Sequence, residues 1–235
     1  MTDLNVSTIN LRVLAAASAF ACKDEARYYL MGVCLEIEPR AVNYVACNGH
    51  SLIAYRSEID DPDQPDNLLI GRFIIPTAHC KSHKLTKDDV GTAKIFGNGR
   101  LTIAHDFVDV TFMPIDGIYV DWRKIVPRSA VSGVLSQYNA EYLAAYKKFG
   151  DALDHGSPFV AHNGDGPALI YYSQVQHCFG ALMPIKLIDE MGRVAPDWAR
   201  APADLDQGDI EDHLSRADEA NLEKVGRGEA LEAVA

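Results

Sequence analysis

Two hydrophobic periods alternate along most of this chain, and each switch between them marks an element. Between positions 10 and 21, Val13, Leu14, Ala17, Phe20 and Ala21 recur at helical spacing, with Asn10 or Thr8 in place to cap. The pattern predicts a helix over about 11–21. The stretch 27–58 then reads R-Y-Y-L-M-G-V-C-L-E-I-E-P followed by A-V-N-Y-V-A-C-N-G-H-S-L-I-A-Y-R-S-E. These are two β-rich runs broken at Pro39-Arg40, the second holding Asn48-Gly49, a dipeptide suited to a tight turn. Asp60-Asp61-Pro62-Asp63-Gln64-Pro65-Asp66 reads as a loop.

The same order then recurs. A strand over 68–75 leads to Pro76 as the first residue of a helix over about 77–85, and strands follow near 92–96, 100–105 and 108–113. Gly97-Asn98-Gly99 turns the first hairpin, and Asp116-Gly117 opens a loop that ends at Pro127. A third unit begins at Gln137. Asn139 caps a helix over 140–149, Gly150 is placed as its left-handed end, and strands over 158–162, 168–172 and 178–183 follow, the first two joined by Asn163-Gly164-Asp165-Gly166. Three units of helix plus antiparallel strands predict an α+β fold with an internal structural repeat. Beyond residue 187 the composition turns to Ala, Asp, Glu, Gly and Arg. That stretch reads as a disordered acidic extension with one marginal helix near 210–225.

Composition narrows the function classes. With 48% hydrophobic and 23% charged residues, the 235-residue chain matches a globular protein with ample core. No apolar run approaches the ~20 residues that span a bilayer, and the N-terminus is not patterned as a signal peptide, so no membrane partner is expected. Five scattered cysteines without a C-x-x-C fit a reducing cytoplasm. The net charge of −11 argues against nucleic acid until its distribution is read. Residues 189–235 hold 13 acidic and 5 basic side chains, so the body is almost neutral and has room for a local basic surface.

Candidate chemistry is sparse. The predicted helices carry Arg12 and Lys23, then His79, Lys81, His83, Lys84 and Lys87, then Lys147 and Lys148. Side by side these form a phosphate-tracking stripe; singly they are solvated lysines near helix ends. His79 and His83 share a helix face and raise a metal site completed by His50 or His105, a weaker reading than a basic helix with one buried cysteine. No nucleophile elbow, phosphate loop or dinucleotide fingerprint occurs, and paired acids lie in loops without apolar surroundings. The residues imply a non-enzyme with no cofactor.

Six segments in order resemble the bacterial β sliding clamp family, the ring that tethers the replicative DNA polymerase. R-Y-Y-L-M-G-V-C-L-E-I at 27–37 is similar to the family's R-x-x-L-N-G-V-L-L-E, and A-C-N-G-H-S-L at 46–52 to its A-T-D-G-H-R-L. Ile74-Ile75-Pro76 resembles V-I-P, and I-D-G-I-Y-V-D-W-R-K-I-V-P at 115–127 resembles I-D-G-x-F-P-D-Y-x-x-V-I-P. Y-N-A-E-Y-L at 138–143 and L-M-P-I-K-L at 182–187 resemble F-N-P-x-Y-L and the terminal V-M-P-M-R-L. The resemblance implies a clamp domain over 1–127, half of another over 128–188, and a tail over 189–235 without counterpart. It describes a reduced clamp that would suit a phage or mobile element and would sit in the cytoplasm of a bacterial or infected cell.

What the resemblance implies for individual residues is specific. A peptide-binding pocket would be lined by Cys47, Gly49, His50, Ser51 and Leu52, by Val120, Lys124 and Ile125, and by Leu182, Met183, Pro184, Ile185 and Lys186. Duplex DNA would be held through phosphates, without base readout, by Arg12, Lys23, Lys81, Lys84, Lys147 and Lys148. Expected partners are double-stranded DNA, a DNA polymerase or other protein bearing a clamp-binding peptide, and a clamp loader. Further copies of the chain are also expected, a tetramer if a twelve-unit ring closes. The competing reading is a clamp-like adaptor that keeps the pocket but encircles no DNA.

Overall fold

Asn10 ends one element and begins the next: its backbone is extended, while its side chain accepts a hydrogen bond from the Val13 amide and so caps a helix. The structure is a computed structural model describing residues 5–59, 67–81, 83, 92–97, 99–127 and 132–185, all inside the unit Met1–Lys186. Strand β1 (Asn5–Asn10) runs into α1 (Leu11–Ala17), and then come β2 (Gly32–Glu38), β3 (Ala41–Cys47) and β4 (Ser51–Glu58). A second unit repeats this order with β5 (Gly71–Pro76), α2 (Thr77–Cys80), β6 (Thr92–Gly97), β7 (Leu101–His105) and β8 (Val108–Phe112). The third unit is α3 (Ala140–Ala152), β9 (Pro158–Ala161), β10 (Ala168–Tyr172) and β11 (Val175–Leu182). Among the described residues no helix is long and apolar enough to cross a membrane.

The strands form two antiparallel sheets by exchange. The leading strand of each of the first two units leaves its own unit and pairs with the other: β1 lies on β6, and β5 on β2, each over six residue pairs. One sheet therefore runs β1-β6-β7-β8, and the other β5-β2-β3-β4-β11-β10-β9. The longer sheet is continuous because the last strand of unit one, β4, pairs with the last strand of unit three, β11.

Alternation along the strands separates two apolar clusters. Val33, Leu35, Tyr44, Ala46, Ile53 and Leu182 face the helices and join Val13, Leu14, Phe20, Tyr146 and Phe149 in the main core. Full burial of a side chain such as Phe20 contributes about 1.5–3 kcal/mol. Its ring meets those of Tyr146 and Phe149 at 4.8 and 6.0 Å, which ties the end of the first helix to α3. The opposite face carries a smaller cluster, with Cys34, Val45, Cys47, Leu52 and Ala181 covered by Tyr119 and Trp122.

Several sequence expectations shift in detail. The first helix stops at Ala17 and tightens into a 3₁₀ turn, Ser18–Phe20, where the Ser18 hydroxyl bonds the Ala15 carbonyl. The first β-rich run begins at Gly32, because the Asp24 side chain caps a 3₁₀ stretch, Glu25–Leu30. Gly150 lies inside α3. A Cβ there would fall 2.2 Å from the Gly156 carbonyl oxygen and 2.7 Å from the Tyr172 ring, so glycine serves close packing. Strand β11 starts three residues early because Gln174, at φ 64°, turns a tight hairpin that no glycine announces. For the second helix only Thr77–Cys80 is seen as helical, and residues 82 and 84–90 lie outside the described residues, as do 186–235 with the expected tail helix.

Candidate functional site

The seam between β4 and β11 gathers most of the residues named for a peptide pocket, on two faces. Ala181 pairs with Leu52 and Leu182 with Ser51, so Leu52 points into the smaller cluster and Leu182 into the main core. Both are buried, at 1% and 0% exposure, and they do not line a common surface. The ladder continues one step through the Met183 amide, which donates to the His50 carbonyl at 2.8 Å. Alternation then puts Met183 on the side of Leu52 and Ala181, where it is 40% exposed. Pro184 is half-buried, Ile185 is exposed, and the Ile185 amide donates to the Gln137 carbonyl at 2.8 Å. Lys186 lies outside the described residues.

The second wall comes from the segment after β8. Val120 and Ile125 are half-buried against the smaller cluster, and Cys47 is buried within it. Lys124 is exposed and pairs with Asp121 at 3.1 Å. An anchor that sequence reasoning missed holds this segment on the sheet. The Trp122 indole N–H donates to Glu36 Oε1 at 3.1 Å, and Arg123 makes a bidentate pair with the same carboxylate at 3.2 and 2.8 Å. Arg72, opposite Glu36 on β5, adds a second cation at 2.7 Å, and the Arg123 guanidinium stacks 4.1 Å from the Trp122 ring. No spacing rule links Glu36 to Arg123, because they meet only through the fold.

On the helix side of the seam a cleft of about 540 Å³ opens. Cys22, Lys23, Asp24 and Arg27 form one bank, Asn48, His50 and Ser51 the floor, and Glu141, Tyr142 and Lys148 the other bank. Asn48 Oδ1 accepts from the amides of His50 and Ser51, and Arg27 donates to the Asn48 carbonyl at 3.0 Å. Gly49 has φ +92°, and a Cβ there would lie 2.4 Å from the Arg27 guanidinium, so the turn requires glycine. The His50 ring stacks on Tyr142 at 5.9 Å, and Ser51 Oγ is buried without a hydrogen-bond partner. The structure thus brings together residues that the sequence had divided between a peptide site and a DNA site. The available signal was the i, i+4, i+7 spacing of Glu141, Ala145 and Lys148 on α3.

The named cations differ in how free they are. Helix α1 packs against both α2 and α3, which gathers the helices on one side. Arg12 is latched across that contact, donating to the Ala152 carbonyl at 3.0 Å and to Asp154 at 3.2 Å. Lys147 pairs with Asp151 one turn along α3. Lys23, Lys81 and Lys148 are exposed, and Lys84 lies outside the described residues. Of the histidines raised as metal ligands, His79 stacks on Phe112 at 4.7 Å, and His83 meets His105 at 6.0 Å between ring centres. Among the described residues no group of three His, Cys, Asp or Glu is placed to hold a metal.

Comparison with known proteins finds no matching family model and no matching curated protein. Solved structures do match. The DNA polymerase sliding clamp from Bacillus subtilis aligns with a TM-score of 0.63 at 14% identity, over 80% of this chain and 66% of that one. The DNA polymerase beta subunit of Streptococcus pyogenes aligns with 0.64 at 12% identity, over 80% and 67%. The Pseudomonas aeruginosa sliding clamp aligns with 0.63 at 16% identity, over 78% and 67%. This chain therefore spans about two thirds of the length of the clamps it matches, and it has the sliding-clamp fold.

Proposed function

We propose that this chain is a non-catalytic, sliding-clamp-like processivity factor. It encircles or tracks duplex DNA without reading sequence and docks short peptides of a DNA polymerase or another replication or repair protein. The observation that carries this reading is the β4–β11 seam. A continuous backbone ladder fixes two units rigidly, and just past its end Met183 and Ile185 stand exposed at 40% and 47%. Exposed Met and Ile beside half-buried Val120 and Ile125 suit apolar peptide side chains, and Met adapts to several partners. On the opposite side, Lys23, Lys81 and Lys148 supply dispersed positive charge, which holds phosphates weakly enough to slide. The adaptor reading, with a pocket but no ring, draws support from the ion pairs that occupy Arg12 and Lys147.

The peptide site is tested by fluorescence polarisation with labelled synthetic peptides that carry adjacent large apolar residues. A subset is expected to bind, and Met183→Ser combined with Ile185→Ser is expected to weaken that binding about tenfold or more. Both side chains are solvent-exposed, so the fold should be unaffected. Undiminished binding in the double variant would remove the site from the seam.

A further inference from the structure

The turn that ends α3 ties the helix side of the third unit to the first. The amides of Leu153 and His155 both donate to the Gly150 carbonyl, at 3.3 and 2.8 Å, and the chain then reverses through Asp154 at φ 58° and Gly156 at φ 76°. A left-handed aspartate is held by its surroundings rather than by local preference. On one side Arg12 of α1 donates to the Ala152 carbonyl at 3.0 Å and to Asp154 at 3.2 Å. On the other the His155 ring lies parallel to Tyr55 of β4 at 5.9 Å and meets Tyr172 of β10 at 5.9 Å and His177 of β11 at 5.7 Å. His177 in turn stands edge-on to Tyr55 at 4.8 Å.

This cluster has no place for an added positive charge on His155. The Nε2 atom of His155 is buried with no hydrogen-bond partner among the described residues. A protonated ring carries two N–H donors, so protonation in place would bury an unmet charged donor. The acids at this end of α3 are already engaged, Asp154 with Arg12 and Asp151 with Lys147. Burial raises the hydroxyls of Tyr55 and Tyr172 and the thiol of Cys178, so these groups stay neutral at acid and neutral pH and offer no counter-charge. Burial first and the neighbouring His177 second hold His155 below its ordinary value of 6.5, against the opposing pull of Asp154.

We infer that this turn is an acid-sensitive latch: uptake of a proton by His155 breaks its stack on Tyr55, moves residues 152–156 off the sheet and frees Arg12. Both partners that the structure gives Arg12 belong to this segment, so opening converts a latched cation into a free one. The direction in pH follows from the ring's burial. The closed turn is fully stable above the ordinary histidine range and loses stability as pH falls below it. With one proton taken up on opening, the open population rises about tenfold per pH unit there. The inference uses neither DNA nor peptide binding, so it stands or falls separately from the proposed function.

The test is an NMR titration of the full chain from about pH 8 to about pH 5, with amide exchange at Leu153 and His155 corrected for its intrinsic pH dependence. His155 is expected to titrate below 6.5, and both amides to lose protection about tenfold per pH unit in the same range. The Arg12 guanidinium signal should shift with them. A His155 midpoint at or above 6.5, protection that does not change with pH, or an Arg12 signal that stays in place would each overturn the latch. His155→Phe keeps an aromatic ring on Tyr55 and removes the proton, so it should abolish the pH dependence with near-ultraviolet circular dichroism unchanged. Sensitivity that persists in this variant would assign the effect to another group. Asp154→Asn separates the rival carboxylate: the pH dependence should survive it, and its loss would move the switch from the imidazole to Asp154. The titration of the unsubstituted chain decides the matter even where a variant does not fold.

Discussion

Glu36 shows how a single side chain sets the site's geometry. Its side chain is 9% exposed on the outer face of β2, where burial alone would raise the carboxyl pKa. Hydrogen bonds from Arg123 and Trp122, with the charges of Arg123 and Arg72, outweigh burial and hold the carboxyl below its ordinary value. A depressed folded pKa means that this stabilisation is full above the unfolded carboxylate range and is lost as pH falls through the folded value. Because both guanidinium groups are about half exposed, Glu36→Gln is expected to cost about 2 kcal/mol at neutral pH. Urea unfolding of both proteins should show the gap narrowing as pH falls from neutral into the acid range. A gap independent of pH would mean that the carboxylate charge contributes nothing there. The thiols carry no comparable chemistry. All five cysteines are free and buried, and burial pushes Cys34, Cys80 and Cys178 up to about 12, far from reactive thiolates at neutral pH.

Among the elements, α3 determines whether the third unit stays joined to the first. The Tyr146 hydroxyl lies 2.9 Å from the Leu52 carbonyl and 3.0 Å from the Ala181 carbonyl, one on each strand of the seam. The ring packs where Gly180 has no side chain, since a Cβ there would come within 2.3 Å. Tyr146→Phe keeps the packing and removes the shared proton, so it should cost about 1–2 kcal/mol. Amide exchange at 51–54 and 180–183 should quicken with it. Exchange confined to the helix would place the seam's stability elsewhere. The helix itself was legible, since Asn139 announces its start and apolar spacing carries it forward. Its end was not, because Gly150 was read as a stop although it serves packing against the Gly156 carbonyl. The Asn48-Gly49 turn was equally legible, whereas the hairpin at Gln174 was hidden for want of a turn-forming residue. Alternation says which face of a strand is buried but not which edge it joins, so the exchanges of β1 and β5 could not be read locally.

For the whole molecule, one uninterrupted seven-stranded sheet joins the first unit to the third, and the helices collect on one side. The resemblance had named His50, Met183 and Ile185 as neighbours, and the seam does assemble the segments that carry them. It could not indicate that Leu52 and Leu182 face opposite ways, or that His50, Lys23 and Lys148 share a cleft, because those relations depend on strand pairing between distant segments. Under the proposed function, an almost neutral body in a chain of net charge −11 favours encirclement, in which topology retains the DNA, over tight electrostatic binding. That claim has a direct measurement. Linear duplex is mixed with the protein at low salt, closed by ligase, and washed at high salt, which removes contacts held by charge alone. The account predicts that protein stays with the ligated circle and leaves when a single cut reopens it. Loss of the protein from the closed circle in the wash, or retention that survives the cut, would contradict it.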